Sequence, residues 1–251
     1  MPEPHYPIYI PSKGRAAVCS TPGVLDDAGC CYRLVVEPQD RDAYAERFGA
    51  ENILVLPLDD PGHVAFARNW IAQHARDAGC TRHWQLDDDL KSFSRWNLGK
   101  QMKIDAAEAL SMMEQFTDRY SNIAISGPSQ TVWGFTKTTP FNLNALCAGV
   151  LLIAATDRFS FRYVNEDIDY CIQVLAAGYC TVQFNAVTID LVETNSNSIQ
   201  YSTIKRRLEL IAKTRALWPA LDIRIQAHGG RINTTRVWKN FRTKLQRIEH
   251  D

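Results

Sequence analysis

The chain reads as an α/β fold built on a mainly parallel sheet flanked by helices, and three observations lead there. Short apolar runs alternate with segments of helical periodicity along most of its length, as in successive βα units. No internal period of about 20–50 residues recurs, and no low-complexity linker interrupts the alternation. At 251 residues, with 45% hydrophobic and 22% charged, the chain can bury a large core, as one domain or a domain with a small appendage.

The elements follow in order. Tyr6–Ile10 is a first strand that runs into the polar loop Pro11-Ser12-Lys13-Gly14-Arg15. Tyr32–Val36 is a second strand ending at Glu37, followed by a helical stretch over Arg41–Phe48, and Asn52–Pro57 is a third strand. Val64, Ala67, Ile71, Ala75 and Ala78 fall on one helical face, with Gly79 as a stop. His83–Leu86 is a short strand that enters Asp87-Asp88-Asp89. Asp105 and Glu108 have the spacing of a capping box for a helix through Tyr120. Asn122–Ser126 and the wholly apolar Ala148–Ala154 are strands. Asn165–Ala177 is the clearest helix, because Ile168, Cys171, Ile172 and Leu175 recur at helical spacing and Gly178 ends it. Thr181–Leu191 is a late strand and Thr203–Leu217 a late helix.

Lys+Arg 28 and Asp+Glu 28 cancel, which argues against a basic nucleoprotein or an acidic tail protein. The cancellation conceals a split. From residue 200 onward twelve Lys/Arg stand against four Asp/Glu, whereas residues 1–199 carry sixteen against twenty-four. The expected organisation is a catalytic body over 1–199 and a basic helical extension over 200–251. Seven cysteines, odd in number and without a C-x-x-C pair, favour neither a disulfide framework nor a thiolate zinc site. Cys19, Cys80, Cys147, Cys171 and Cys180 are expected as small buried hydrophobes. The N-terminus lacks the features of a signal peptide and no apolar run approaches the roughly 20 residues of a membrane span, so a cytoplasmic protein without a membrane partner is expected. No obligate protein partner is evident.

Three consecutive aspartates after a strand repel one another and need a cation, a positive neighbour or full solvation. A hard divalent ion bridging to phosphate would relieve them, and an Asp-rich turn with a helix cap is the plainer alternative. Asn165-Glu166-Asp167 opens the clearest helix, where acidic residues suit the free N–H groups, and where one carboxylate could instead reach into a cleft as a general base. Glu166 and Asp167 point about 100° apart on a helix, so they cannot play the same part. The Ser12-Lys13-Gly14-Arg15 loop lies where an α/β sheet binds its ligand, while Arg68-Asn69 reads as ordinary helix surface on its own. Neither G-x-x-x-x-G-K-[ST] nor G-x-G-x-x-G occurs, against a P-loop enzyme or a dinucleotide oxidoreductase, and G-x-S-x-G and H-E-x-x-H are also missing. The six histidines do not cluster; His228 is at most a ligand from the C-terminal side.

The order of these pieces is more specific than any one of them. The run I-Y-I-P-S-K-G-R-A, the L-V-V-E-P strand end, Ala67-Arg68-Asn69, W-Q-L-D-D-D-L and N-E-D-I-D-Y-C-I-Q-V-L-A-A-G-Y resemble, over roughly residues 6–190, the GT-A glycosyltransferases, which use nucleotide-diphosphate sugars. Within that fold the opening run and the Asp triplet look most like the TET-associated glycosyltransferases of bacteriophages, which attach sugars to 5-hydroxymethylcytosine in DNA. The resemblance implies that Pro11, Ser12, Lys13, Arg15 and Glu37 line a uridine pocket, with Arg68, Asn69 and Asp88 also on the nucleotide side. It implies that Asp87 faces the ribose or a metal-bound water, and that Asp89, with Asp87 and His228 as further candidates, holds Mn²⁺ or Mg²⁺. Glu166 or Asp167 would deprotonate the acceptor, with Asp167 preferred, as in inverting members. Three aspartates leave the D-x-D register open.

DNA as acceptor requires cations for phosphates and aromatics for an exposed base. The tail offers Arg224, Arg231, Arg236, Lys239, Arg242, Lys244 and Arg247, with Trp238 and Phe241 among them; Trp133, Phe135, Lys137 and Phe141 form a second aromatic stretch between two strands. The expected function is therefore metal-dependent transfer from a UDP-sugar to a hydroxymethylated pyrimidine in DNA, in the host cytoplasm if phage-encoded. The rivals are a glycan, lipid or protein acceptor, a sugar-nucleotide nucleotidyltransferase, and a non-catalytic DNA-binding module.

Overall fold

The apolar runs become the strands of one ten-stranded sheet in the computed structural model, which describes residues 3–58, 63–97, 100–134, 137–192, 203–225 and 232–249. Six strands point the same way: β1 (Ile8–Pro11), β2 (Arg33–Val36), β3 (Ile53–Val55), β4 (Arg82–Leu86), β7 (Ile123–Gln130) and β10 (Cys180–Leu191). β9 (Val150–Ala154) lies antiparallel between β4 and β7. The order is β3-β2-β1-β4-β9-β7-β10-β5-β6, with β8 (Phe141–Leu143) also paired to β10.

The sheet is more mixed than the alternation of runs suggests. β5 (Leu90–Asn97) and β6 (Lys100–Ile104) form an antiparallel hairpin beside β10, in a stretch where no strand was expected. Its cause is legible only in hindsight: Phe93 and Ile104 pair across it and close the core, while the rest of β6 is exposed and, Met102 apart, polar. β7 also extends past Ser126 as far as Gln130.

Helices cover both faces. α1 (Thr21–Asp26) and α4 (Ala106–Thr117) lie on one, with Leu110 and Met113 against Trp84, Leu86 and Leu152. Asp105 caps α4 as expected, its Oδ1 accepting the Glu108 N–H at 2.7 Å. Trp84 is fully buried, and its Nε1 donates to Glu114 Oε1 at 2.7 Å. Glu114 also accepts the backbone N–H groups of His5 and Tyr6, which ties the N-terminal segment to the sheet. On the other face α3 (Ala65–Asp77) packs Ala67, Ile71 and Ala75 against Tyr9 and Val35, and α6 (Glu166–Ala176) packs Tyr170, Cys171 and Val174 against Ile125, Leu151 and Ile153. α2 (Arg41–Phe48) follows β2, and α5 (Thr131–Gly134) follows β7.

α7 (Ile204–Leu217) and the chain after it pack Trp218, Ile223, Val237 and Trp238 onto Ile168 and Ile172 of α6. A short hairpin of β11 (Arg224–Ile225) and β12 (Ile232–Asn233) lies within this segment. The last described residues form a strap over the strand starts: Asn122 Nδ2 donates to Lys244 O at 2.8 Å, and Asn144 Nδ2 to Thr243 O at 2.9 Å. Cys19, Cys147, Cys171 and Cys180 are buried free thiols, as expected, and Cys80 is half-buried. No helix among the described residues is long and apolar enough to cross a membrane.

Gly127 shows how closely the central strands approach, because a Cβ there would meet the Val150 carbonyl oxygen at 2.1 Å. That oxygen is backbone and cannot step aside. Gly127→Ala is expected to destabilise the protein by about 3 kcal/mol, as overpacking between fixed groups does; chemical denaturation measures it, and an unchanged midpoint contradicts the close approach.

Candidate active site

All six parallel strands deliver their C-terminal ends to one edge of the sheet, so loops far apart in sequence meet there. β1 delivers Ser12–Arg15, β2 delivers Glu37 and β4 delivers the Asp triplet. Backbone bonds fix the triplet. Asp87 N–H donates to Gly149 O at 2.7 Å, Ser20 N–H to Asp88 O at 2.9 Å, and Val192 N–H to Asp89 O at 2.8 Å. Gly149 takes a positive φ of 80° beside Asp87, a conformation that other residues rarely adopt.

The three carboxylates receive different surroundings. Asp88, 6% exposed, turns inward, where Ser12 Oγ donates to its Oδ2 and Arg15 Nη1 contacts its Oδ1 at 2.7 Å. Burial pushes its carboxyl upward, opposed by the Ser12 hydroxyl and Arg15. Asp87 is more open and pairs with Arg68 Nη2 at 2.6 Å. Asp89 is half-buried, and its Oδ1 is enclosed without a hydrogen-bond partner among the described residues. Burial first, then the charges of Asp87 and Asp88, raise its carboxyl to about 6. A buried carboxylate oxygen without a donor is a site for a cation or a proton.

Arg68 organises the centre. It is 3% exposed, its Nη1 donates to Gln85 Oε1 at 3.3 Å, and its guanidinium lies 5.5 Å from the centre of the Phe161 ring. Gln85 also donates to the Arg68 carbonyl at 3.1 Å. Asn69, expected near a nucleotide, instead pairs with the backbone of Phe161: its Nδ2 donates to Phe161 O at 2.7 Å and its Oδ1 accepts Phe161 N–H at 2.8 Å. It therefore holds the loop that leads into α6. Glu37, 2% exposed, forms an ion pair with Lys13 at 2.6 Å, and Gln39 donates to its other oxygen at 2.5 Å, which ties the loops after β1 and β2 together. Pro11 ends β1 in a buried position.

The first turn of α6 reaches the same centre. Glu166 is buried, and Asp167 Oδ1 accepts the Ile168 N–H at 2.7 Å. Asp167 keeps some exposed surface yet is densely surrounded; burial and then the Glu166 charge drive its carboxyl well above the usual range. Arg68 and Asp87 both act on it electrostatically, so the structure brings Asp87, Arg68 and Asp167 together.

The acceptor-side residues are scattered. Trp238 is half-buried among Leu146 and the α6 side chains, a packing role for a ring expected to meet a base. Arg236 and Lys239 are exposed, and Arg236 pairs with Asp222 at 3.4 Å. Arg242 is exposed beside the strap at the strand starts, the edge opposite the Asp triplet. Phe141 packs on Phe116 at 4.9 Å, and Lys137 is exposed. His228, Arg231, Phe135 and the side chain of Trp133 lie outside the described residues. No group of three His, Cys, Asp or Glu among the described residues is arranged to hold a metal ion. Sequence reasoning missed Gln85, Tyr44 (whose hydroxyl meets Ser12 Oγ at 2.5 Å) and Phe161; a glutamine inside the apolar run W-Q-L was the one available signal.

A mixed, mostly parallel sheet with this acidic edge is a GT-A fold, and the solved structure of GalNAc-T7 with UDP, GalNAc and Mn2+ shares it at a TM-score of 0.52 and 11% identity. The match covers 86% of this chain and 48% of that one, so the chain spans about half the length of that neighbour. More distant likenesses are inositol-1-phosphate CTP transferase from T. maritima (TM-score 0.42, 12% identity, 86% of this chain and 98% of that) and mannose-1-phosphate geranyltransferase from Thermus thermophilus (0.35, 14%, 95% and 68%). No curated protein matches. The TET-associated glycosyltransferase family model matches residues 6–198, and the chain belongs to that family.

The raised carboxyl of Asp89 has a consequence for stability. An acid held above its unfolded value binds protons more tightly when folded, so its cost grows as pH rises past about 4 and is complete above about 6. Asp89→Asn, without added metal, is expected to raise the thermal midpoint at about pH 8, with the gain shrinking toward about pH 4. A midpoint gain independent of pH in paired melts would contradict this.

Proposed function

We propose that this protein is a glycosyltransferase that moves a sugar from a UDP-sugar to the hydroxyl of 5-hydroxymethylcytosine in DNA, assisted by Mn²⁺ or Mg²⁺. The observation that carries the reading is the unequal treatment of the triplet. Asp88 is neutralised inside the protein, whereas Asp89 keeps an enclosed oxygen without a donor among the described residues, and Asp87 pairs with Arg68 and acts electrostatically on Asp167. The aspartate donors are hard oxygens, which fits Mn²⁺ or Mg²⁺. Asp89 and Asp87 would hold the ion, and His228 is kept as a candidate third ligand. When bound, the ion would neutralise charge on the diphosphate leaving group.

The protein's own side chains would do the rest. Ser12, Lys13, Arg15 and Glu37, cross-linked between two loops, would border the nucleoside. Arg68 would place a fixed positive charge beside the diphosphate, with Gln85 and Phe161 holding it in place. Asp167 would take the proton of the acceptor hydroxyl as its oxygen bonds to the anomeric carbon and the carbon–oxygen bond to UDP breaks. Its upward displacement suits a base for an alcohol near neutral pH. Glu166 would strengthen that basicity by its adjacent charge.

Cations for a DNA backbone are present on two surfaces. Arg236 and Lys239 are exposed in the C-terminal segment. Lys91, Lys100 and Lys103 are exposed on the β5–β6 hairpin, which follows Asp89 directly and carries no Asp or Glu from Leu90 to Ile104. The hairpin supports a polyanion that starts beside the triplet at Lys91 and runs along the sheet past Lys103 and Lys100, although edge-strand lysines also discourage sheet-to-sheet pairing.

Incubation with Mn²⁺, several UDP-sugars and 5-hydroxymethylcytosine DNA, followed by nucleoside mass spectrometry, should show a hexose-sized mass gain. Asp89→Asn and Asp167→Asn should each lower turnover by about a hundredfold or more with folding retained, and the wild-type rate should fall on acidification as Asp167 is protonated. The absence of any gain on the modified base rejects the acceptor. In a salt titration of DNA binding, replacing Lys91, Lys100 and Lys103 by Gln should reduce the log–log slope by about 3, at roughly 0.9 per phosphate contact; an unchanged slope removes the hairpin from the interface.

A further inference from the structure

The sequence suggested that residues beyond 200 serve the acceptor, and the family match ends at residue 198. The structure shows what α7 touches. Thr214, fully buried, accepts the Asn165 N–H through Oγ1 at 3.2 Å and lies 3.1 Å from Asn165 Oδ1. Its single hydroxyl proton goes either to that oxygen or to the Leu210 carbonyl at 2.9 Å. One turn further along both helices, Trp218 Nε1 donates to Asp169 Oδ1 at 2.7 Å.

Thr214 and Trp218 are four residues apart, as are Asn165 and Asp169, so the two contacts form rungs of a ladder between facing helices. Asp169 is fully buried, and its second oxygen accepts from Arg162 Nε and Gln173 Nε2, each at 2.8 Å. Arg162 in turn lies 5.6 Å from the centre of the Trp218 ring. Asn165 is the N-cap of α6 but makes no side-chain cap bond; its oxygen faces Thr214 instead. A cap residue that forgoes the bond it most favours is being used by another element. Between the rungs stand Glu166 and Asp167.

We infer that Thr214 and Trp218 are positioning residues, through which α7 sets the orientation of the first turn of α6 and so the placement of the acidic pair. This rests on the reading of that pair as the reacting carboxylates. It assigns to the segment after residue 200 a part in the chemistry, distinct from any contact with an acceptor. Because each rung ends on a residue flanking the pair, loss of a rung alters where the carboxylates point while leaving the nucleotide loops after β1 and β2 intact.

The test uses water as the acceptor, so that it does not depend on DNA. UDP release from a UDP-sugar with Mn²⁺ is measured for the wild-type chain and for Thr214→Val, which keeps the shape and removes the hydroxyl. Thr214→Ser keeps the hydroxyl and removes a methyl, and Trp218→Phe removes the second rung's donor. Thr214→Val and Trp218→Phe are expected to lower kcat about tenfold to a hundredfold, with the donor KM within about twofold and Thr214→Ser close to wild type. Hydrogen exchange of the Glu166–Asp169 amides should rise in Thr214→Val and not in Thr214→Ser. A purely structural role would give the opposite order or none, with Ser as damaging as Val and kcat following stability; that result overturns the inference. Hydrolysis without transfer to DNA would reject the acceptor and leave the ladder standing, while a wild-type chain that hydrolyses no UDP-sugar rejects both.

Discussion

Three consecutive carboxylates stand at the edge where the parallel strands end, with Asp167 of α6 within electrostatic reach of Asp87, and their repulsion is the constraint to which the surrounding structure answers. The relief is unequal. Asp88 is matched by Arg15 and Ser12, Asp87 by Arg68, and one buried oxygen of Asp89 by nothing among the described residues. Arg68 can serve only because Gln85 grips both its guanidinium and its carbonyl, and because Phe161 covers it. Phe161 in turn is held by Asn69, one residue along α3 from Arg68. The A-R-N signature is thus a unit in which arginine supplies charge and asparagine fixes the wall against which the arginine rests.

Much of the fold could be read from the chain because strands at the centre of such a sheet are apolar on both faces and their helices are amphipathic. The runs Tyr6–Ile10, Tyr32–Val36 and Ala148–Ala154 and the stripe Ile168–Leu175 are visible for that reason. The β5–β6 hairpin was not visible. Its outer strand is mostly exposed and has only Met102 and Ile104 as apolar residues, so its apolar signature is weak, and it exists because β10 offers an edge to β5. The site divides along the same line. Residues clustered in sequence, the loop after β1 and the two acidic runs, announced themselves. Gln85, Tyr44 and Phe161 act through partners far away in sequence, and no local pattern marks such pairings. Asn69 was noticed, but its partner was a backbone segment 92 residues away.

The charge split along the chain has a spatial counterpart, though a different one from a basic tail laid beside an acidic body. The tail is not a single surface. Part of it is a strap at the strand starts, fixed by Asn122 and Asn144, and its Arg242 and Lys244 lie near the edge opposite the triplet. Part of it packs Trp218, Val237 and Trp238 against α6, so its aromatics fill a core. Lys91, Lys100 and Lys103 are instead on the hairpin that follows the triplet. Positive charge summed over a segment thus says little about where a polyanion can lie until the apolar residues among those charges have been placed.

A site that keeps carboxylates raised without a cation is under electrostatic load, and the load falls on α6, whose first turn brings two more. A free helix end would yield by fraying, since its first N–H groups have no partners within the helix. This end is held from outside by Thr214 and Trp218, and Asp169, one turn in, is locked by Arg162 and Gln173. The bracing begins beyond residue 198, where the family match stops. Segments outside a family's shared core are commonly read as binding additions. Here the repulsion within the shared core supplies a physical reason for such a segment to brace that core, because carboxylates that repel one another stay where they are only if the helix end carrying two of them is held from outside.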